Sequence, residues 1–278
     1  MNADLLPLMA PRLSGTELFK TVAVLGSGPQ AGELASLRGD DTIVAVMNNA
    51  WRAVPDWDYW LYADDFPEEG KPAPELRARR GRSSPQYWPA IEAHGGLVLC
   101  GATMAYATGY WALHTMPFSQ VSFFATDMTY SGAKTHFYGQ GAPDPLRRDV
   151  TLQDHEAKGL RLQYFALRAS CLFLNASNAE ETRLVVPRIR SGVSLRRNVA
   201  AEVMPTLREL LRAMDDAATP ALQLERATPA SWRVPNYGLI MNEPGLWSHT
   251  AAVDARWRAL KPMSDALAQQ VEAAFARE

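Results

Sequence analysis

The chain has 278 residues, 47% hydrophobic and 21% charged, a globular composition that excludes disordered, collagen-like and disulfide-scaffold proteins. Thirty acidic residues against 28 basic give a formal net charge of -2. No global positive field therefore draws it to nucleic acid or an anionic membrane, and an anionic ligand must be held locally.

From the N-terminus, Met1 to Leu13 carries Pro7 and Pro11, has no Lys or Arg before its apolar stretch, and reaches no run long enough to cross a bilayer. Neither a signal peptide nor a membrane span is expected, and only peripheral membrane contact stays open. Short β-branched or aromatic runs then alternate with stretches of helical spacing. Thr21 to Leu25, Thr42 to Met47, Asp58 to Ala63, Leu97 to Cys100, Gln120 to Ala125 and Ser170 to Leu174 read as strands. Ala31 to Leu37, Pro85 to Ala93, Ala102 to Met116 and Thr151 to Arg168 read as crossover helices. This alternation predicts an α/β fold, a Rossmann-like, mostly parallel sheet with helices on both faces. After Asn178 the texture changes. Helices are expected over Val203 to Met214 and Pro262 to Phe275, and Pro220 to Pro244 reads as a loop. The division is a ligand-binding domain over 1–178 and a C-terminal helical and loop appendage over 179–278, packed on the first.

The strongest local signal is the strand that ends in Gly26-Ser27-Gly28-Pro29 and opens a helix. Gly26 permits a tight turn, Gly28 lets the backbone approach a ligand, and Pro29 suits the first helical position, so the turn is expected to hold a phosphate. It also satisfies the loose pattern G-x-G-x-x-A. A dinucleotide enzyme places Asp or Glu at the end of the second strand, where this chain has Asn48-Asn49, which argues against a nicotinamide or flavin cofactor. Cys100 and Cys171, the two cysteines, lie in apolar runs without metal-ligand spacing and point to a reducing, cytoplasmic address.

Several segments share an order with a known family: Gly26-Ser27-Gly28-Pro29, then Val46 to Trp51, then Leu99-Cys100-Gly101-Ala102-Thr103-Met104, then Val121 to Asp127. Over about residues 20–178 this series resembles the bacterial sialyltransferases that use CMP-activated sialic acid. It is also similar to motility-associated glycosyltransferase domains and an archaeal pterin diphosphokinase group. The resemblance implies a variant of the glycosyltransferase-A arrangement. It also implies that Gly26, Ser27 and Gly28 touch the nucleotide phosphate and sugar, that Asn48 holds the ribose or donor, and that Cys100 and Gly101 lie beside the nucleotide. The chain departs from the family at Ser27, Cys100, Ala125 and Thr129, the last standing where the family has a phosphate-contacting tyrosine. Tyr130 and Tyr138 are the alternatives for that phenol.

Transfer of a sugar needs a cradle for the departing phosphate, a base for the acceptor hydroxyl, and exclusion of water. His155, beside Asp154 at a predicted helix start and near where the family keeps its catalytic histidine, is one candidate base. His136, in a polar loop after the strand ending near Asp127, is the other. Asp64 and Asp127 offer oxygen ligands that could hold Mg²⁺ or Mn²⁺, with Asp65 the weaker choice. Among Arg147, Arg148 and the arginines from Arg183 to Arg197, Arg188 is the candidate for gripping a carboxylate or phosphate. Trp51, Trp57 and Trp60 fall near the expected site. The reading is a glycosyltransferase moving a sugar from a nucleotide donor, a CMP-sugar foremost, to a hydroxyl of a surface glycan or glycolipid, with a homo-oligomer open. The alternatives are Mg²⁺-dependent phosphoryl or diphosphoryl transfer and a non-catalytic nucleotide- or glycan-binding protein.

Overall fold

The structure is a computed structural model that describes residues 21–115, 118–130, 134–141, 150–151, 154–189, 195–234, 238 and 240–276. Met116, Arg147, Arg148, Arg190, Leu152 and Gln153 lie outside the described residues. The elements run β1 (Thr21–Leu25), α1 (Leu34–Leu37), β2 (Ile43–Met47), β3 (Tyr59–Leu61), α2 (Pro74–Arg80), β4 (Gly81–Arg82), α3 (Ser84–Ala93), α4 (Leu97–Cys100), α5 (Met104–Thr115), β5 (Gln120–Phe124), α6 (His155–Arg168) and β6 (Leu172–Asn175). Then follow α7 (Val199–Val203), α8 (Arg208–Arg226), α9 (Leu246–Trp257) and α10 (Lys261–Phe275).

The six strands form one sheet in the order β4-β3-β2-β1-β5-β6, and every pairing is parallel. The first described strand, β1, is central; the chain winds outward through β2 to β4, then crosses to β5 and β6 on the other side. Strand order therefore reverses between β1 and β5, whose register sets Val22 beside Val121 and Leu25 beside Phe124. This is the expected Rossmann-like α/β fold. Period-two alternation divides the strands between two cores. Val22 and Val24 of β1 pack with Val121 and Phe123 toward α3, α5 and α6. Ala23 and Leu25 pack with Val44, Val46 and Phe124 toward α1 and the turn Asn48–Arg52. Both faces are covered, which is why the strands read as unbroken apolar runs.

The C-terminal helices share the first of these cores: Val203, Met214, Ala218, Ala221, Val253, Trp257, Leu267 and Val271 pack in it with α5 and α6. Met214, Ala218, Ala221 and Glu225 recur at helical spacing and form the buried face of α8. Buried charge joins the same helices. Arg161 of α6 grips Glu225 of α8 with Nε to Oε1 at 2.6 Å and Nη2 to Oε2 at 2.9 Å. The Trp257 indole N–H also donates to Glu225 Oε1, at 2.6 Å. Arg161 Nη1 donates to the Tyr110 hydroxyl at 2.6 Å. Three residues earlier on α6, Lys158 Nζ donates to Asp254 Oδ1 of α9 at 2.8 Å and to the Val98 carbonyl at 2.7 Å.

Three expectations need correction. Leu97 to Cys100 is the single-turn helix α4, not a strand. Glycines at φ +95° (Gly95), +92° (Gly96) and +86° (Gly101) fold the chain tightly on either side of it. The apolar run is buried, but a run of four cannot by itself tell a strand from a helical turn. The stretch 220–244 is not all loop, because α8 runs unbroken through Pro220 to Arg226. The helix expected over Val203 to Met214 is interrupted at Pro205, where a short 3-10 turn, Met204–Thr206, separates α7 from α8.

Candidate active site

A cleft of about 750 Å³ opens at the carboxyl edge of the sheet, at the β1/β5 reversal. It collects loops from most of the sheet: Gly26 to Gln30 after β1, Met47 and Asn48 at the end of β2, and Asp65 after β3. Ala125 to Tyr130 enter after β5, with Lys134 to His136 beyond them, and Ala179 to Glu181 after β6, while Ala102 to Ala105 enter at the start of α5. Parallel α/β sheets bind ligands at this kind of switch point, because the loops on either side of it diverge and leave a crevice.

The turn after β1 is occupied differently from expectation. Gly26 N donates to Phe124 O and Gly28 N to Ala125 O, both at 2.9 Å. A Cβ on Gly26 would stand 2.2 Å from the Ala125 carbonyl oxygen, and one on Gly28 would stand 2.9 Å from it. The glycines are required by contact with the end of β5, and these two amides are already engaged. Pro29 has no N–H, and the helix beyond is a 3-10 turn over Ala31–Glu33 followed by the four-residue α1. So short a helix adds little to the field at its start. The expected phosphate cradle at Gly28 and the helix after it is thus corrected, although Gly26, Ser27, Gly28 and Pro29 do line the cleft.

The longer helix that opens onto the cleft is α5, of 12 residues. Gly101 turns the chain at φ +86°, and Thr103 Oγ1 accepts the Tyr106 amide at 3.2 Å. Met104 and Ala105, in the first turn, have no carbonyl behind them within the helix, and both line the cleft. Here amide donors and the helix dipole favour an anion.

Backbone strain marks the same cleft. Among the described residues four non-glycines have positive φ, and three of them line it: Asn48 (45°), Ala125 (51°) and Met128 (55°). Such conformations persist where the surroundings enforce them, and they gather at functional sites. Asn48 is pinned by the Trp60 indole N–H donating to its carbonyl at 2.8 Å and by the Ala63 amide donating to its Oδ1 at 3.3 Å. Asp127, between Ala125 and Met128, is only 7% exposed. Its carboxylate accepts from Ser177 Oγ at 2.5 Å and from Asn175 Nδ2 at 3.4 Å.

His136 lines the cleft from a tight turn in which it exchanges backbone hydrogen bonds with Gly139, and Phe137 N donates to Ser27 O at 3.0 Å. Its Nδ1 lies 2.9 Å from Thr135 Oγ1, which also accepts the Gly141 amide at 3.0 Å. Burial lowers the His136 pKa from its ordinary value, so the imidazole is neutral near pH 7 and able to accept a proton.

Of the residues singled out by sequence, Gly26, Ser27, Gly28, Pro29, Asn48, Asp65, Asp127, Thr129, Tyr130 and His136 come together in this lining, whereas Asn49, Asp64, Cys100, Gly101, Tyr138, His155 and Arg188 are not part of it. His155 begins α6, where its carbonyl accepts the Tyr106 hydroxyl at 2.8 Å. Asn49 sits in the 3-10 turn beside Asn48. Asp64 accepts the Ser84 hydroxyl at 2.5 Å at the start of α3, and its neighbour Asp65 lines the cleft instead. Asp64 and Asp127 therefore do not share the cleft, and among the described residues no group of three or more His, Cys, Asp or Glu is placed to hold a metal. The Cys100 thiol is fully buried, 3.4 Å from the His94 carbonyl, and burial pushes its pKa up to about 11. Gly101 sets the entry to α5. Tyr138 stands outside the lining, stacked on His136. Arg188 donates to the carbonyls of Ser177 at 3.4 Å and Glu180 at 3.1 Å, bracing the loop after β6.

Sequence reasoning passed over Gln30, Lys134, Thr135, Ser177, Glu180 and Glu181. The available signal was the polar run after β6, at a carboxyl strand end. The described lining carries Asp65, Asp127, Glu180 and Glu181 against the single Lys134, so it is rich in acid. Comparison with protein-family models, curated proteins and solved structures finds no match.

Proposed function

We propose that the cleft is the active site of a glycosyltransferase that moves a sugar from a nucleotide-activated donor, a CMP-sugar foremost, to a hydroxyl of a glycan or glycolipid. The observation that carries this reading is that a buried histidine, His136, and the amino end of α5 line one cleft at the β1/β5 switch. In this mechanism His136 takes the proton of the acceptor hydroxyl, whose oxygen attacks the anomeric carbon. The bond from that carbon to the phosphate oxygen breaks, and its electron pair leaves with the nucleotide. The first-turn amides of α5 steady the charge that develops on the departing phosphate. Ser27, Asn48, Thr126, Thr129 and Tyr130 supply hydroxyl and amide groups that match sugar and ribose hydroxyls. Among the described residues no helix is long and apolar enough to cross a membrane. A cytoplasmic address belongs to this reading, and the two free, buried cysteines support it.

The acidic lining favours a second reading, phosphoryl transfer from a nucleoside triphosphate that brings its own Mg²⁺, whose charge would offset Asp65, Asp127, Glu180 and Glu181 without those residues forming a metal site by themselves. A thermal-shift panel of CMP, UDP, GDP, ATP, NAD and S-adenosylmethionine, each with and without Mg²⁺ or Mn²⁺, separates them, since a ligand bound only by the folded state raises the melting temperature. Stabilisation by CMP without metal supports glycosyl transfer from a CMP-sugar. Stabilisation by ATP only with Mg²⁺ supports phosphoryl transfer. A response to NAD alone overturns both.

A further inference from the structure

The turn that carries His136 also presents an aromatic surface with no role in the chemistry above. Tyr138 is 47% exposed and belongs, with Leu76 and Trp247, to the large apolar side chains most open to solvent among the described residues. One face of its ring lies on the His136 imidazole, with centroids 4.9 Å apart and planes within 19° of parallel. Phe137 meets the ring edge-on at 5.0 Å and 84°. The backbone beneath is tied in three places: His136 N to Gly139 O at 2.9 Å, Gly139 N to His136 O at 3.0 Å, and Phe137 N to Ser27 O at 3.0 Å. The tyrosine is thus an anchored plate, backed on one side by an imidazole, packed against Phe137 and otherwise about half exposed.

The surroundings of that plate define what it suits. Gly139 holds φ +118° and has open space where a side chain would stand. Gln140 is exposed beside it and offers both an amide donor and an acceptor. From Phe137 to Gly141 the tip carries no charge. Among the described residues, an aromatic face, a neighbouring amide, an uncharged tip and open space at Gly139 match a neutral pyranose, which has an apolar C–H face and a hydroxylated edge. Tyr138 stands between any ring on its outer face and the imidazole, so that ring is not the one presenting the reactive hydroxyl.

We propose that the outer face of Tyr138 is a subsite for a neutral pyranose one unit away from the reacting sugar of the acceptor, which makes the acceptor an oligosaccharide of at least two units. This rests on the reading of the cleft as a glycosyl-transfer site. The adjoining sugar passes over the edge of Tyr138 and brings its hydroxyl to His136.

The test uses the full chain, saturation-transfer NMR with lactose, cellobiose and N,N'-diacetylchitobiose, and the variants Tyr138→Ala, Tyr138→Phe and Tyr138→Trp. The residue is exposed, so none of these disturbs the core. The expected result is that at least one disaccharide binds the wild type with saturation concentrated on one of its two rings. Tyr138→Ala then weakens binding about tenfold or more, Phe and Trp preserve it, and the nucleotide-induced thermal shift is the same in all four proteins. Three results overturn the proposal: no disaccharide binds the wild type, binding is unchanged in Tyr138→Ala, or Tyr138→Ala abolishes the nucleotide shift, which would assign the ring to a base. A wild type that no nucleotide stabilises defeats the glycosyl-transfer reading instead, and does so whatever the disaccharides show.

Discussion

Gly28 donates its amide to the carbonyl oxygen of Ala125 at 2.9 Å, so the turns that end β1 and β5 are stitched together where the strand order reverses. The stitch sets two backbones closer than any side chain at position 26 or 28 allows. It also helps explain how Ala125, a residue with a Cβ, is held at φ 51°.

Substituting these glycines should therefore act on folding before it acts on binding. Gly26→Ala, with its Cβ 2.2 Å from the Ala125 oxygen, is expected to destabilise the protein by about 2 to 3 kcal/mol. Gly28→Ala should cost less, and Gly32→Ala, where nothing lies within 4 Å of the new Cβ, should be neutral. Urea denaturation of the three variants checks this order. Equal stabilities at positions 26 and 32 would contradict it.

If His136 is the base, His136→Ala lowers turnover by about 10²-fold or more and leaves the nucleotide thermal shift in place. Burial depresses the imidazole pKa, so the working neutral form dominates at pH 7, and the rate falls on the acid side only below the ordinary histidine value of 6.5. Thr135→Val should move that limb by removing the partner of Nδ1, and Thr135→Ser should restore it. A full loss in His155→Ala with His136→Ala active would move the role to the start of α6.

Removing the Glu225 carboxylate strands a buried guanidinium and leaves the Trp257 N–H without its acceptor. Glu225→Ala should cost about 3 to 5 kcal/mol, and the double change Arg161→Met with Glu225→Leu should recover most of it, because no uncompensated charge is then left inside. Chemical denaturation of both variants measures the difference. A double variant no more stable than the single one would mean that packing, not charge, sets the cost.

Acid should weaken the fold through His94. Burial, helped by the Arg161 charge, pushes its pKa down to about 4 from an ordinary 6.5. The unfolded chain takes up a proton at this residue before the folded one does, so stability is complete above about pH 6.5 and declines as pH falls toward 4, by about 3 kcal/mol over the window. His94→Gln should flatten that part of a stability profile measured by denaturation from pH 4 to 7. An unchanged slope would assign the acid sensitivity to another group.

Much of the sheet was legible because covered parallel strands are apolar on both faces. β1 is matched residue for residue, and β2, β3, β5 and β6 lie within two residues of expectation. β4, two residues at the sheet edge, has no periodicity to read. α8 was hidden by Pro220, since a proline inside a helix looks like a loop until the packing of Met214, Ala218 and Ala221 overrides it. The cleft was half legible. Strand ends such as Asn48 and Asp127 announce themselves, whereas the strain at Ala125 and Met128 comes from tertiary contact. The partners of Lys158 and Arg161 lie 96 and 64 residues further along the chain, beyond the reach of any local pattern.

That long-range pairing bears on how the molecule can be divided. A fragment ending at residue 178 would retain Lys158 and Arg161 but lack Asp254 and Glu225, the anions that neutralise them, and it would expose the apolar side of α6 as well. Such a piece should aggregate or fail to fold when produced alone. Supplying residues 179–278 as a separate polypeptide should rescue it in trans, so that the sheet and the helices that close it would be recovered together or not at all.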